Sequence, residues 1–230
     1  RSGLSESTKK NVDLSVRCHN DFGLATANTL TAIEEGISCP QTCVGGYGER
    51  AGLAPMEEVA MALEILYDIE TNLNAKKLYR ISQLAEKSFA SPMALQKPIV
   101  GEDAFSHVSE KHIHGLLAHP LSYEPFPPRM IGRDTKFYLG KQTRKHLVEE
   151  RLKLAEIKAT PMDVNKIVSQ IRKQQERMDK GEMLMNFYQI RKLMKEMQKG
   201  LTEEDFWAIV QQVTGQKPKL LPATQKYWEV

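Results

Sequence analysis

The chain has 230 residues, which is enough for one large or two small domains. Its 32 lysines and arginines are nearly balanced by 29 acidic residues, giving a formal net charge of +3, so a nucleic-acid partner is not expected. No apolar run is long enough to span a bilayer and the first residues are not a signal sequence, so we expect a cytoplasmic protein without a membrane partner.

The first legible unit is a strand followed by a helix. The short apolar run Val12–Val16 contains β-branched residues and predicts a strand. The polar cluster Arg17–Asp21 follows it directly. Apolar residues at helical spacing then predict a helix over about Leu24–Glu34, which Gly36 closes.

A second unit repeats this order. Another strand leads into a glycine-rich loop, and a helix begins near Pro55. Strand, polar tip and helix repeated in this order are typical of a parallel α/β structure, whose chemistry takes place at the carboxyl ends of the strands. The loop, residues 45–52, contains Gly45, Gly46, Gly48 and Gly52 and carries Glu49 and Arg50.

Two helices and an irregular segment are predicted next. An apolar stripe predicts a helix over Met56–Asn72, and a second helix runs from Lys76 to about Lys87. The segment Pro92–Arg133 is rich in proline and histidine and is predicted to be irregular. A long irregular segment with many titratable side chains is more often functional than merely connecting.

The rest of the chain is predicted to be helical up to a tail. Thr202 followed by three acidic residues is a favourable helix start, and Gln216–Val230 has two prolines and no periodicity. Helical patterns cover Gln142–Glu156, Met162–Lys180, Glu182–Lys199 and Thr202–Val213.

The motifs at the two strand ends resemble those of a known enzyme family. Arg17-Cys18-His19-Asn20-Asp21 and Gly46-Tyr47-Gly48-Glu49-Arg50 resemble the His-x-His-Asn-Asp and Gly-x-Gly-Glu-Arg signatures of isopropylmalate, homocitrate and citramalate synthases. The resemblance continues through Lys97-Pro98-Ile99-Val100-Gly101-Glu102 and Tyr123-Glu124-Pro125, so it covers most of the chain.

The resemblance implies an α/β fold in which the C-terminal βα units of a TIM-type barrel are followed by an irregular lid and an α-helical subdomain. The implied division is residues 1–75 for the barrel units, 76–133 for a linker helix and lid, 134–215 for the helical subdomain and 216–230 for a tail. A complete barrel needs roughly 250 residues. We therefore expect the chain to be the C-terminal portion of a longer synthase, or to complete its barrel with another polypeptide.

The implied activity is an acyl transfer in which acetyl-CoA condenses with a 2-oxo acid. The family resemblance implies a divalent metal ion (Mg, Mn or Zn) as cofactor and a homodimer in which lids are exchanged between subunits. It also implies that His112 and Tyr123 reach from the lid into the partner's barrel and help to remove a proton from acetyl-CoA. Imidazole and phenol groups suit such a proton transfer.

The residues of the strand end and the glycine loop have expected roles in metal and substrate binding. His19 is the expected metal ligand, although a histidine satisfied by neighbouring backbone is the alternative. Arg17 stands where the family has its first metal-binding histidine, and an arginine cannot ligate a cation. Either the metal is held more weakly or Arg17 takes over part of the carboxylate binding. The expected substrate-binding residues are Arg17, Asn20, Gly46, Gly48 and Glu49.

Several simpler interpretations remain open for these motifs. The glycine loop can be a tight turn, and Glu49 and Arg50 can form a salt bridge that fixes it. The three cysteines, Cys18, Cys39 and Cys43, are expected to be reduced thiols, because a structural zinc site would need a second cysteine pair. The remaining lid histidines, His107, His114 and His119, are expected to be structural or exposed, and the basic residues Arg191, Lys192, Lys195 and Lys199 to form a solvated helix face.

Two other functions remain open. The substitution at Arg17 favours a non-catalytic subunit that supplies a lid and a dimer interface but has lost its metal site. A carbon–carbon lyase on a related barrel is a weaker possibility. The sequence does not identify the 2-oxo acid, because the strands that select it lie upstream.

Overall fold

The computed structural model describes residues 3, 5, 7, 11–140, 143–176, 180–196 and 200–216. It divides into two compact units, residues 1–179 and residues 180–230. The first unit is mixed α/β and the described part of the second is helical. Apart from Gln216, the predicted tail lies outside the described residues.

The first unit begins with a β-α-β element. Strand β1 (Ser15–Val16), helix α1 (Ala25–Glu34) and strand β2 (Cys39–Pro40) follow one another, and the two strands pair in parallel. The predicted helix is confirmed, and Gly36 just beyond it has φ +89°, a left-handed conformation that glycine adopts readily. The strand predicted over Val12–Val16 pairs over only two residues.

Val16 lies opposite Pro40, and the N–H of Gln41 donates to the carbonyl of Val16 at 2.7 Å. Among the described residues this sheet has only these two strands. It therefore leaves both edges open for further strands.

Helix α2 (Met56–Leu66) is shorter than the predicted Met56–Asn72. Asp68 has φ +54°, and the N–H of Ile69 turns back to donate to the carbonyl of Leu63 at 2.9 Å. This closure resembles the left-handed caps that end many helices. The helix therefore ends before the apolar pattern does, because Ile69 continues the pattern but lies outside the helix.

Helix α2 packs against α1 through a small apolar core. This core consists of Ala25, Ala54, Val59 and Leu63, with Cys18, Leu30, Ile33 and Tyr67 at its margin. Burial of these side chains stabilises the element, because full burial of a valine or leucine side chain contributes about 1.5–3 kcal/mol relative to an exposed one.

The predicted linker helix is confirmed as α3 (Leu78–Phe89), which follows a 3₁₀ turn at Ala75–Lys77. It joins a second core in which Phe105 and Phe126 meet edge to face, with ring centroids 5.5 Å apart. The buried members of this core are Met61, Leu78, Phe105, Phe126 and Ile131. The core ties α2 and α3 to the segment that follows them.

The prediction that Pro92–Arg133 is irregular throughout is wrong in one part. Helix α4 (Glu110–Ala118) lies within it. Ile113 and Leu116 are its only buried residues, and this narrow stripe is hard to recognise between prolines and histidines. Strand β3 (Ser106–His107) precedes α4 and pairs in parallel with strand β4 (Lys136–Phe137).

Two further helices complete the first unit. Helix α5 (Lys145–Leu154) and helix α6 (Pro161–Glu176) confirm the helical patterns predicted there. They pack through Val148, Val164 and Val168, all of which are buried.

The second unit contains helix α7 (Lys180–Glu196) and helix α8 (Glu203–Thr214). Thr202 and Asp205 form a capping box at the start of α8, as the sequence predicted. Arg191 and Lys192 are exposed on α7, whereas Lys199 and the side chain of Lys195 lie outside what the structure describes. In the described part of the chain, every helix is too short or too polar to cross a membrane.

Candidate active site

The structure brings together the two motifs at the strand ends. The N–H of Asn20 donates to the carbonyl of Gly52 at 2.9 Å, and His19 lies opposite Leu53 in an isolated antiparallel bridge. The strand end (Arg17–Asp21) therefore lies directly against the last residues of the glycine loop. This is the adjacency expected of neighbouring parallel strands.

His19 fits one position in a metal coordination shell. Its Nδ1 is buried and has no hydrogen-bond partner among the described residues. A buried polar atom without a partner is costly, and imidazole nitrogen is a common ligand of divalent transition metals. Within the described ranges, no group of three or more histidine, cysteine or acidic residues is placed to hold a metal. His19 could thus supply one ligand, and any others would have to come from outside the described residues.

Arg17 is exposed beside this histidine. Neither a hydrogen bond nor an ion pair engages its guanidinium in the described part of the chain. A free guanidinium favours a carboxylate ligand, which it can bind through two parallel hydrogen bonds. Its position is therefore compatible with anion binding and incompatible with metal ligation.

Asn20 has a structural contact that the sequence did not reveal. Its Oδ1 accepts a hydrogen bond at 3.1 Å from the N–H of Ala25, the first residue of α1. This satisfies one of the free amides at the helix N-terminus. Because the Oδ1 is already bonded to Ala25, a substrate bound by the Asn20 side chain would contact its Nδ2 amino group.

Arg50 forms an ion pair, but with Asp21 and not with Glu49. Its Nη2 lies 2.9 Å from Asp21 Oδ2, and its Nε lies 3.1 Å from Oδ1. The hydrogen bond from Arg50 is the main cause of a lowered pKa for the Asp21 carboxyl. The salt bridge therefore fastens the glycine loop to the strand end, and the exposed Glu49 is left facing solvent.

The glycine loop adopts a backbone that requires glycine at Gly52. Gly52 has φ +87°, and a Cβ there would collide with the carbonyl oxygen of Gly46. That carbonyl accepts the N–H of Leu53 at 3.0 Å. Gly48 is also confined, because a Cβ would lie 3.0 Å from Cγ of Leu53. Compact folding thus holds the predicted substrate-binding glycines in a single tight loop.

A buried carboxylate anchors the base of this loop. Glu57 is fully buried, and its Oε2 accepts the N–H of Gly45 at 3.0 Å. Lys97 Nζ lies 3.7 Å from Glu57 and 3.3 Å from Glu58. Burial raises the pKa of Glu57 more than these partners lower it. Lys97 belongs to the Lys-Pro-Ile-Val-Gly-Glu motif, so the contact links that motif to the loop.

The structure also brings His112 and Tyr123 together. Their rings are stacked, with centroids 4.1 Å apart and an interplanar angle of 23°. His112 is on α4, and Tyr123 follows a short 3₁₀ turn. Both side chains are exposed, Tyr123 by 46%, so a ligand can reach them.

Next to this pair, His107 contacts Glu124, which sequence reasoning did not predict. His107 Nε2 lies 3.2 Å from Oε1 of the buried Glu124, and Thr135 donates its hydroxyl to the same oxygen at 2.8 Å. The adjacency of Glu124 to Tyr123 in the sequence was the available signal. We expected His107 to be structural, and its side chain is only 10% exposed.

The other two histidines of this segment, His114 and His119, are exposed, and within the described ranges they belong to no group of three or more potential metal ligands. The three cysteines, Cys18, Cys39 and Cys43, are free thiols.

The strand end with its glycine loop and the His112–Tyr123 pair are separate within the described part of this chain. The Asn20 N–H bonds to Gly52 of the glycine loop, and His19 forms a backbone bridge with Leu53 just after it. Ring contacts join His112 to Tyr123 and His107. No hydrogen bond, ion pair or ring contact connects the two groups among the residues that the structure describes.

Comparison with known proteins decides the family. Residues 2–85 match the model of the HMGL-like family. Residues 99–179 match the model described as the homocitrate synthase post-HMGL domain-like family. The chain belongs to the family of isopropylmalate, homocitrate and citramalate synthases.

Relatives with all three names are similar to the chain. It is 41% identical over 208 residues to a 2-isopropylmalate synthase of Methanocaldococcus jannaschii, covering 90% of this chain and 37% of the relative. It is 38% identical over 186 residues to a homocitrate synthase of Methanothermobacter thermautotrophicus, covering 80% and 47%. It is 35% identical over 205 residues to an (R)-citramalate synthase of Methanocaldococcus jannaschii, covering 89% and 38%.

The chain therefore spans less than half the length of these curated relatives. The resemblance seen in the sequence motifs is confirmed, and with it the mixed α/β fold of a TIM-barrel family. The synthase family alone does not select one of the three products, because relatives of all three kinds match at similar identity.

Proposed function

We propose that the chain is part of an acyltransferase that condenses acetyl-CoA with a 2-oxo acid. In this reaction a C–H bond of the acetyl methyl group breaks, and the carbon forms a bond to the ketone carbon of the 2-oxo acid. The ketone oxygen takes up a proton, and water hydrolyses the thioester. The products are a 2-hydroxy diacid or triacid and free CoA.

The observation that carries this proposal is the stacked, exposed pair His112 and Tyr123. An imidazole can accept a proton near neutral pH, and an adjacent phenol can donate or relay one. Removal of a proton from the acetyl methyl group needs such a group within hydrogen-bond reach. The stacking supports their acting together at one position of the substrate.

The strand end and the glycine loop would hold the 2-oxo acid. His19 would supply one ligand to a divalent metal, which when bound polarises a ketone as a Lewis acid. Arg17 would bind the substrate carboxylate with its free guanidinium. Asn20, Gly46, Gly48 and Glu49 would line the same position, with the Asp21–Arg50 salt bridge fixing the loop.

The lid and the helical subdomain would serve a homodimer. We propose that the lid, residues 76–133, crosses to a second copy, so that one subunit's His112 meets the partner's strand end. The separation of the two groups within the described chain supports this arrangement. The helical subdomain would be residues 134–215, following barrel units at residues 1–75.

A second candidate is a non-catalytic subunit of such a synthase. Arg17 favours it, because a permanent positive charge opposes a cation beside His19. Such a subunit would keep its lid and interface but would turn over nothing by itself.

Steady-state kinetics of the complete polypeptide test the proposal. Free thiol release from acetyl-CoA is measured with a panel of 2-oxo acids in native enzyme, His112→Ala and Tyr123→Phe. We expect turnover to fall by about a hundred- to ten-thousand-fold in His112→Ala, the usual contribution of an acid–base group. Tyr123→Phe should also lower turnover, with binding of the 2-oxo acid retained.

His119→Ala is the matched control, because His119 is an exposed histidine outside the proposed site, and we expect its turnover to be unchanged. Full turnover in His112→Ala would contradict the role of the lid pair. Absence of turnover in the native homo-oligomer with every 2-oxo acid would favour the non-catalytic subunit.

A further inference from the structure

We infer that Gly115, Glu124 and His107 are positioning residues that hold the His112–Tyr123 pair in its stacked geometry. The inference rests on the proposed function of that pair. It adds residues that do not touch the substrate and whose effect is exerted through the two rings.

Because Gly115 has no side chain, the ring of Tyr123 can pack directly against helix α4. A Cβ at Gly115 would lie 2.6 Å from Cε2 and 3.1 Å from Cδ2 of Tyr123, so the ring would have to move away from Cε2's present position. Residues three apart share one face of a helix, so His112 and Gly115 together form the surface on which the ring lies.

The backbone conformation does not explain this glycine. Gly115 lies inside α4 and is absent from the residues with positive φ. A glycine inside a helix is less favourable than alanine by roughly 0.5–1 kcal/mol. The space that the Tyr123 ring occupies is the visible reason for its presence.

Glu124 anchors the backbone next to the exposed tyrosine. Its side chain is buried and bonded to His107 and Thr135. Tyr123 itself is 46% exposed, and no hydrogen bond of its hydroxyl is present among the described residues. The buried carboxylate one residue further on therefore fixes where the ring can go.

His107 contacts both His112 and Glu124. Its ring lies 6.2 Å from the ring of His112, edge to face at 71°, while its Nε2 contacts Glu124. Strand pairing holds His107 in turn, because its carbonyl accepts the N–H of Tyr138 at 2.9 Å. The contacts run from Tyr123 to His112, to His107, to Glu124 and back along the chain to Tyr123.

Kinetics and melting temperatures of the complete polypeptide test the role of Gly115. A small displacement of a catalytic group can lower the rate by about a hundred-fold, so we expect Gly115→Ala to reduce kcat by at least about ten-fold. KM for the 2-oxo acid should stay the same. The melting temperature should stay the same or rise, because alanine favours the helix. Lys111→Ala, on the exposed part of the same helix, should leave kcat unchanged.

A double-mutant cycle separates positioning from a general structural role. If Gly115 acts by making room for the ring, Gly115→Ala should have no further effect on kcat in a Tyr123→Ala background. An equal loss with and without the ring would overturn the inference. So would unchanged kcat in Gly115→Ala, or a loss that is matched by a fall in melting temperature.

Glu124 is tested by a conservative pair of variants. Glu124→Gln keeps an acceptor for Thr135 and the shape of the side chain, so we expect it to retain more of kcat than Glu124→Ala at the same KM. Equal kcat in these two variants would overturn the role of Glu124. Full turnover in His112→Ala would overturn the proposed function of the pair, whereas loss in His112→Ala with full turnover in Gly115→Ala would overturn the positioning alone.

Discussion

At the scale of single residues, the charge at position 17 decides what the strand end can bind. Arg17 is exposed and free of ion pairs in the described part of the chain, while His19 beside it has an unpartnered buried nitrogen. A cation and an anion would therefore be drawn to adjacent positions. This is the arrangement that a metal-bound carboxylate substrate would use.

Arg17→His should tighten binding of a divalent cation to the complete polypeptide, because it removes a positive charge and adds an imidazole ligand. Isothermal titration with Mn²⁺ measures the affinity. Arg17→Lys is the matched control, since it keeps the charge and should behave like the native protein. His19→Ala should bind the cation more weakly than the native protein does. Equal affinity in the native, Arg17→His and His19→Ala proteins would remove His19 from the metal site.

At the scale of elements, the conformation of the glycine loop depends mainly on one of its four glycines, Gly52. Gly52 combines φ +87° with a backbone carbonyl where a Cβ would lie. Gly23 has a similar φ of +73° but nothing within 4 Å. Substitution of Gly23 therefore measures the cost of a left-handed backbone alone, whereas substitution of Gly52 adds the cost of a steric collision.

Gly23→Ala should lower stability by about 1–2 kcal/mol, the usual cost of a left-handed residue with a Cβ. Gly52→Ala should be clearly more destabilising and should also weaken the binding of the 2-oxo acid, because the carbonyl of Gly46 must move. Melting temperatures and KM of both variants provide the comparison. Equal melting temperatures would contradict the collision.

Elements with a strong local signal could be predicted from the sequence. Helix α1 with Gly36, and α8 with its Thr202 cap, are examples, because periodicity and capping chemistry are local. Helix α4 could not be predicted, since Ile113 and Leu116 are its only buried residues and give too short an apolar stripe. The end of α2 was also missed, because its apolar periodicity continues to Ile69 after the helix has stopped.

The site could be predicted only in part for a similar reason. Parallel strand ends meet, so the proximity of His19 and the glycine loop follows from chain order. The Asp21–Arg50 pair and the Asn20 contact with α1 depend on where side chains lie after folding. The stacking of His112 on Tyr123 depends in addition on α4, which the sequence analysis did not recognise.

At the scale of the whole molecule, the chain corresponds to less than half of the length of its curated relatives. It spans 37% to 47% of the three relatives compared above, and its first sheet has open edges among the described residues. Among the described residues, the strand end with its glycine loop and the stacked His112–Tyr123 pair do not contact each other. We therefore expect a functional site to combine residues from two copies.

Mixing His112→Ala and His19→Ala forms of the complete polypeptide tests this exchange. If the lid crosses to the partner, a hybrid dimer has one site with both residues intact. Random exchange should then restore about a quarter of the native turnover. Mixing His112→Ala with Tyr123→Ala is the control, because both defects lie on the lid, and it should restore nothing. No recovery in the first mixture would contradict lid exchange.

The fate of the acetyl hydrogens distinguishes carbon–carbon bond formation from simple hydrolysis of the thioester. The complete polypeptide is supplied with acetyl-CoA carrying three deuterons on its methyl group, together with a 2-oxo acid, and the product is analysed by mass spectrometry. Condensation removes one of the three deuterons as the carbon–carbon bond forms, so we predict a 2-hydroxy acid product with two deuterons and an equal amount of free CoA. Release of free CoA together with acetate that keeps all three deuterons, without a new carbon–carbon bond, would contradict a condensation.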